Sequence, residues 1–410
     1  MNNVLLVGNG FDLAHGLVTK YEHFLYLMKN WDEFYDAFQK ERKRSEKQDT
    51  QCIKTGNKFY EISIFDLVEN PEKTIDKYIR NASKMNEVHI IKLGNIIKNN
   101  SWTKYYCCCE AEIDGWIDFE REICPVINLF EKIFQNDYVI NEDIVFDGKG
   151  TGIDYSNFTS KDLEIAKQFD KYVYCNRYRL TVTQNYISRN YGVLKKKIIA
   201  DLRKEFEEFV GAFEIYLHEF VYKNADIKTL EQIKNLDINS VISFNYTLTE
   251  KLYGITNQDV HHLHGKIRED LTHGKNNMIM GLSEASEQNM DFIYFVKYFQ
   301  RIQKASGVKY KKILRRQTRD DNVVHSKYNL YIYGHSLDET DKDIITYVIG
   351  TKEELENNKM KPEHVIIFYY DDTDYEQKVI NLINLYGRDV VELYLEKRLF
   401  ELVQTIEDVC

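Results

Sequence analysis

Four apolar runs in the chain give way to breaks whose residue types could do chemistry. The first, Val4-Leu5-Leu6-Val7, opens onto Gly8-Asn9-Gly10-Phe11-Asp12. Glycine lets the backbone approach a ligand without a Cβ, so this turn and the helix start after it could cradle a diphosphate. The motif does not extend to GxGxxG, since position 13 is Leu13, and an ordinary strand-to-helix turn explains it as well. The second break places Asn245 after Ser240-Val241-Ile242-Ser243-Phe244. Its amide is both donor and acceptor, and it reads either as a ligand contact or as a turn former or helix cap. The third, Val260-His261-His262-Leu263-His264-Gly265, carries three imidazoles in four residues. In an extended segment His262 and His264 share one face and His261 takes the other. No carboxylate or thiol accompanies them at ligand spacing, so one histidine acting as general base fits better than zinc. The fourth, Gly334-His335-Ser336-Leu337, precedes Asp338, Asp341 and Asp343, which read mainly as charges suited to a helix N-terminus.

Near-continuous runs of β-branched and aromatic residues, separated by helical segments, are what a parallel sheet covered on both faces requires. In such sheets ligands sit beyond the carboxyl ends of the strands, which is where all four breaks fall. The expected fold is therefore α/β, a mainly parallel Rossmann-like sheet with a large helical insertion. Val4–Val7, Ser240–Phe244, Leu330–Tyr333 and His364–Tyr370 are its predicted strands, with a further strand at Asn277–Gly281. Residues 1–30 and 238–410 are expected to form a nucleotide-binding core, and residues 31–237 a mainly helical insertion with a solvated polar face. Within the insertion, Gly148, Gly150 and Gly152 among acidic residues read as a surface loop; Phe292 to Arg319 reads as helical, basic and aromatic.

The chain has 410 residues, 43% hydrophobic and 29% charged, with only 19 glycines and 3 prolines, which excludes a disordered or linker-rich protein. A formal charge of -10 provides no basic field for a phosphate backbone and weakens any nucleic-acid reading, although a local patch stays open. Seven cysteines, an odd number without a CxxC pair, fit reduced thiols, and packing fits Cys107, Cys108 and Cys109 better than metal binding. The start lacks a signal-peptide pattern and no run of 18 apolar residues follows, so a soluble cytoplasmic protein without a membrane partner is expected.

The run from Val4 to Tyr21, together with Trp116-Ile117-Asp118-Phe119-Glu120, Ser243-Phe244-Asn245-Tyr246-Thr247, His264-Gly265 and Gly334-His335-Ser336-Leu337, resembles the AbiH family of bacterial phage abortive-infection proteins. Val18 stands where that family's opening motif leads one to expect proline. The family is in turn similar to sirtuin-like NAD-binding proteins, with a glycine loop, an Asn after a middle strand and a His-Gly some twenty residues later. The resemblance implies a sirtuin-like fold, NAD as substrate, and hydrolysis to nicotinamide and ADP-ribose with no metal. It implies Asn245 and His264 as catalytic residues. It likewise implies Gly8, Asn9, Gly10, Phe11, Asp12, Glu120, Gly334 and Ser336 as nucleotide contacts. A phage protein or accessory activator and assembly into a homo-oligomer are the expected partners. Thr183-Gln184-Asn185 imitates a sirtuin tripeptide but has no His-Gly within the next fifty residues, and the four-cysteine module of sirtuin deacylases is absent. Two rival readings stand beside the hydrolase: a catalytically silent nucleotide-binding phage sensor, and a metal-dependent nuclease toxin using His262, His264 and the acidic trio.

Overall fold

The computed structural model describes residues 2–48, 71–109, 119–135, 152–154, 158–175, 179–188, 193–224, 229–256, 259–282, 290–317, 323–325 and 327–405. Its centre is a six-stranded sheet made of β1 (Asn2–Val7), β2 (Ser240–Ser243), β3 (Val260–His262), β4 (Tyr328–Tyr333), β5 (His364–Tyr369) and β6 (Phe400–Gln404). Every pairing is parallel, in the order β6-β5-β4-β1-β2-β3. This is the doubly wound, Rossmann-like order, and its topological switch point lies between β1 and β4.

Register explains the continuous apolar runs. Leu5 of β1 pairs with Val241 on one side and Tyr331 on the other. Because side chains alternate, Val4 and Leu6 join Ile242, Leu330, Ile332, Val365 and Ile367 in one layer with Ile344, Ile345 and Val348 of helix Lys342–Ile349. Leu5 and Val7 face the opposite layer, with Val241, Phe368, Phe11 and Ile233. Both faces of β1 are thus covered, and no position in Val4–Val7 can be polar without burying an unsatisfied group.

The largest apolar cluster lies among the helices. The long helix Lys195–Ile215 runs on through a π-helical turn, Tyr216–Val221. Phe206, Phe209, Phe213, Tyr216 and Phe220 recur every three or four residues, which puts them on one stripe against Phe24, Phe34, Trp102, Tyr106 and Phe119. The same cluster takes in Leu17, Val18 and Leu27, and also Leu248, Ile267, Met278 and Met280 from loops beyond the strand ends. Val18 is buried there, and its carbonyl accepts a hydrogen bond from the Tyr216 hydroxyl at 2.7 Å. A small antiparallel sheet of Gly152–Asp154, Arg179–Val182 and Val173–Cys175 accompanies the helices.

Three expectations change. Asn277–Gly281 is not a strand of any sheet, although Met278, Ile279 and Met280 are fully buried. Its backbone is satisfied mainly by side chains: Met278 N–H donates to Asn276 Oδ1, Met280 N–H to Gln300 Oε1, and Gly281 N–H to Glu120 Oε1. Phe292 to Arg319 is helical in pieces, in the kinked 3-10 stretch Met290–Phe295 and at Lys297–Gln303 and Lys309–Ile313, and Arg315–Gln317 is a strand paired with Val323–His325. Ala305 and Gly307, both with positive φ, divide the two helices. The sheet also gains β3 and β6, which the apolar pattern left out. Gly148, Gly150 and Trp116-Ile117-Asp118 lie outside the described residues.

Candidate functional site

The carboxyl ends of β1 and β4 meet through glycine. Gly8 N–H donates to Tyr333 O at 3.1 Å and Gly10 N–H to Gly334 O at 2.9 Å. A Cβ on Gly334, whose φ is +64°, would stand 2.1 Å from Phe11 N, so only glycine permits this contact between the two turns. Phe11 N–H donates to Gly8 O. The amides of Gly8, Gly10 and Phe11 are therefore spent within the protein. In this arrangement the glycines serve close approach of two strand ends.

Asn245 follows β2 and faces this turn. It is buried, its Nδ2 donates to Gly8 O at 2.9 Å, and its own N–H is held by Ser243 Oγ. Below it, Asp12 is almost fully buried and accepts from Thr247 Oγ1 at 2.6 Å and Thr249 Oγ1 at 2.7 Å. Burial pushes its carboxyl up to about 6, against the two hydroxyls that favour the charged form. Asp12 therefore ties the turn after β1 to the turn after β2.

Past Gly334, the chain presents His335. Its Nδ1 accepts from Leu337 N–H at 2.9 Å, so in the neutral ring the proton sits on Nε2, which faces Asp341 Oδ2 at 3.5 Å. The other Asp341 oxygen lies 3.8 Å from His264 Nε2 and is buried with no hydrogen-bond partner. Phe244, the residue before Asn245, packs between the two imidazoles, with ring centroids 4.2 Å from His335 and 5.4 Å from His264. Asn245, Gly8, Gly334, His335, Asp341, His264 and Phe244 thus form one closed ring of neighbours around the switch point.

Two cations border that ring. Lys297 is buried and pairs with Glu120 at 2.7 Å, while Arg301, one helical turn on, approaches His264 Nε2 at 3.4 Å. A guanidinium only donates, so this His264 nitrogen is the acceptor and the neutral ring carries its proton on Nδ1. Burial pushes the His264 imidazole well below the ordinary histidine value, and Lys297 and Arg301 push it further, against Asp341. Burial would raise the Asp341 carboxyl, but the His335 contact and the Lys297 charge hold it well below the carboxylate range. Burial also pulls the Lys297 ammonium down, yet Glu120 and Asp341 outweigh this and hold it above its ordinary value. The product is a neutral imidazole next to an ionised carboxylate. That arrangement can take up a proton and stabilise the resulting imidazolium.

The remaining predicted residues divide. Glu120 belongs to the cluster, through Lys297 and Gly281 N–H. Phe11 is a core ring packed at tilted or edge-on angles among His15, Tyr253 and Tyr333, and Asn9 is exposed, its Oδ1 accepting from Thr19 Oγ1. Ser336 is exposed, its carbonyl accepting from Asn381 Nδ2. His264 sits in a turn after β3, so the strict alternation of His261, His262 and His264 ends at Leu263. His262 contacts Glu250 at 3.2 Å and Asn245 O at 3.1 Å, while His261 packs on Tyr310. Among the described residues, His262, His264 and the acidic trio do not form a group of ligand atoms. Asn185 of the sirtuin-like tripeptide is exposed, and its carbonyl accepts from Lys197 Nζ.

Sequence reasoning missed Lys297 and Arg301, and it did not pair Asp341 with His264 and His335. Asp341 carried a signal, since it follows Gly334-His335-Ser336-Leu337 closely, but its place before helix Lys342–Ile349 makes capping the simpler reading. Lys297 and Arg301 are one turn apart in a basic helical stretch and carry no mark of burial. A cavity of about 440 Å³ lies elsewhere, lined by Lys92, Asn99, Lys171, Tyr186, Asp201 and Glu208 among others, and does not include Gly10, Asn245 or His264.

A family model described as bacteriophage abortive infection AbiH matches residues 4–359. No curated protein and no solved structure matches the chain.

Proposed function

The chain belongs to the AbiH family of bacteriophage abortive-infection proteins, and from that membership and the cluster at the switch point we propose that it acts by hydrolysing NAD to nicotinamide and ADP-ribose. The observation that carries this reading is the convergence of Asn245, His264 and the His335–Asp341 pair where β1, β2 and β4 end. The reaction consumes one water, breaks the bond between nicotinamide nitrogen and ribose carbon, and releases one proton. Nicotinamide leaves as a neutral ring, so no acid is needed for it; the demand is for an ionised group near an oxocarbenium-like ribose and a base for the water. In this reading His264 takes the proton from the water, Asp341 stabilises the imidazolium, and Asn245 orients the ribose hydroxyls. Arg301 faces the diphosphate. The sheet order and the motif spacing support a sirtuin-like variant of the Rossmann arrangement.

The test is incubation of purified protein with NAD, alone and with extract of phage-infected cells, with chromatography of the products. Equimolar nicotinamide and ADP-ribose are expected. Because His264 is buried, alanine would open a void; glutamine keeps the volume. His264→Gln should lower turnover about 10²–10⁴-fold with an unchanged melting temperature to within a few degrees. Intact NAD in both wild-type incubations refutes the reading.

A further inference from the structure

Away from this site, three ligand atoms converge inside the helical body. His218 and Glu219 lie in the π-helical turn Tyr216–Val221, and His89 lies in helix Glu87–Asn99. Consecutive residues of an α-helix point about 100° apart. In this widened turn, however, His218 Nδ1 comes within 3.2 Å of Glu219 Oε1, and His89 Nδ1 reaches the same oxygen at 2.6 Å. The three atoms lie within 4.8 Å of one another, and Glu219 is fully buried. Among the described residues it is the one group of three such side chains so arranged.

A second observation comes from the far side of His218. Its Nε2 lies 3.1 Å from the carbonyl oxygen of Glu269, and a carbonyl only accepts, so Nε2 carries a proton. A neutral His218 then aims its Nδ1 lone pair at a carboxylate oxygen. Two acceptors face each other there, a contact that needs a cation or an extra proton between them. Metal-bound histidines are held in this way, with the other ring nitrogen donating to a backbone carbonyl.

We propose that His89, His218 and Glu219 bind one divalent transition-metal cation of the zinc class. Two imidazole nitrogens and one carboxylate oxygen are the donor set of a four-coordinate site with a position left for water. Asn86 N–H, which donates to Glu219 Oε2 at 3.0 Å, supports the carboxylate from behind. Lys223 is the competitor: its Nζ lies 2.9 Å from both Glu219 oxygens, on a side chain that is 33% exposed and free to swing outward. The metal would join helix Glu87–Asn99 and the long helix to the segment holding Glu269. That segment also carries Arg268, bidentate on buried Glu214, and leads back to Gly265 and His264. The site therefore braces, from the helical side, the loop that presents His264.

The test uses the full-length protein, stripped with a chelator and titrated with zinc chloride against a chromophoric competitor, and with cobalt(II) for its visible absorption. Expected are one equivalent of zinc, cobalt absorption of four-coordinate intensity, and an affinity at least about tenfold weaker in His89→Asn. Lys223→Met should bind zinc about tenfold more tightly, and zinc should raise its melting temperature more than that of the wild type. No uptake by the wild type overturns the proposal. So does uptake that neither substitution changes, which marks adventitious binding. If His89→Asn does not fold, Lys223→Met decides alone, and an unchanged affinity overturns the proposal. None of these readouts depends on NAD cleavage.

Discussion

Replacing Asp12 by Asn should remove the pH dependence that this one carboxyl imposes on stability. Asp12 is 1% exposed, between Thr247 and Thr249, and titrates at about 6 in the fold against an ordinary value of 3.8. The folded state therefore holds this proton more tightly than the unfolded chain does. Its contribution is fully present below the unfolded value and is lost as pH rises through the folded one. The separation is worth about 3 kcal/mol, lost between roughly pH 4 and pH 7. Asparagine has no charge to bury at any pH. Its oxygen can accept from one threonine hydroxyl while its amide donates to the other, which must rotate, at a cost of about 1 kcal/mol. Asp12→Asn should thus be about 1 kcal/mol less stable than the parent near pH 4 and about 2 kcal/mol more stable near pH 7.5. Urea unfolding followed by tryptophan fluorescence across this range measures both proteins, and groups that titrate alike in the two cancel in the difference. A difference that does not change with pH, or a parent that gains on the variant as pH rises, would sink the argument that burial sets this carboxyl.

Other outcomes follow from single contacts. His261 accepts from Tyr310 N–H at 3.1 Å and donates to Ser306 O at 3.0 Å, so His261→Ala strands both and should cost about 1–3 kcal/mol for each, seen as a lower urea midpoint. Gly334→Ala must fit a Cβ 2.1 Å from Phe11 N at a φ of +64°, and strain and overlap of about 1–3 kcal/mol each should leave little folded protein by circular dichroism. Gly211→Ala, in the interior of Lys195–Ile215 with nothing within 4 Å, should instead raise stability by about 1 kcal/mol in the same assay. If His264 is the base, NAD turnover should persist below the ordinary histidine range and fail only as pH falls through the depressed value. Asp341→Asn, which removes the charge favouring the imidazolium, should move that acidic limb lower still and reduce turnover; a limb that stays in place argues against the pair.

What could be read without coordinates was whatever local pattern encodes. A strand buried on both faces must be apolar along nearly its whole length, which is why Val4–Val7, Val241–Ser243, Leu330–Tyr333 and Val365–Tyr369 declared themselves as one parallel set. The glycine break and Asn245 could be placed at strand ends for the same reason, and they do meet, through Asn245 Nδ2 and Gly8 O. The edge strands escaped notice because an edge tolerates polar residues: β3 is Val260-His261-His262, and in β6 Glu401 and Gln404 are exposed.

Tertiary structure decided the chemistry. The run Met278-Ile279-Met280 has the pattern of a strand, but its polar atoms are matched by Asn276, Gln300 and Glu120, so it lies beside His264 without joining the sheet. Asp341 looks like a capping residue from its neighbours along the chain; only packing brings it between His264 and His335. Lys297 and Arg301 have the spacing of a solvated helix face, and their partners Glu120 and His264 come from other parts of the chain. His89 stands 130 positions from Glu219, and nothing in the local pattern of either could join them. The physical reason is one of range. Burial repeats every two or three to four residues and so writes itself into sequence, whereas an electrostatic pair is fixed by distance in space and by the water excluded around it, both of which exist only once the chain has folded.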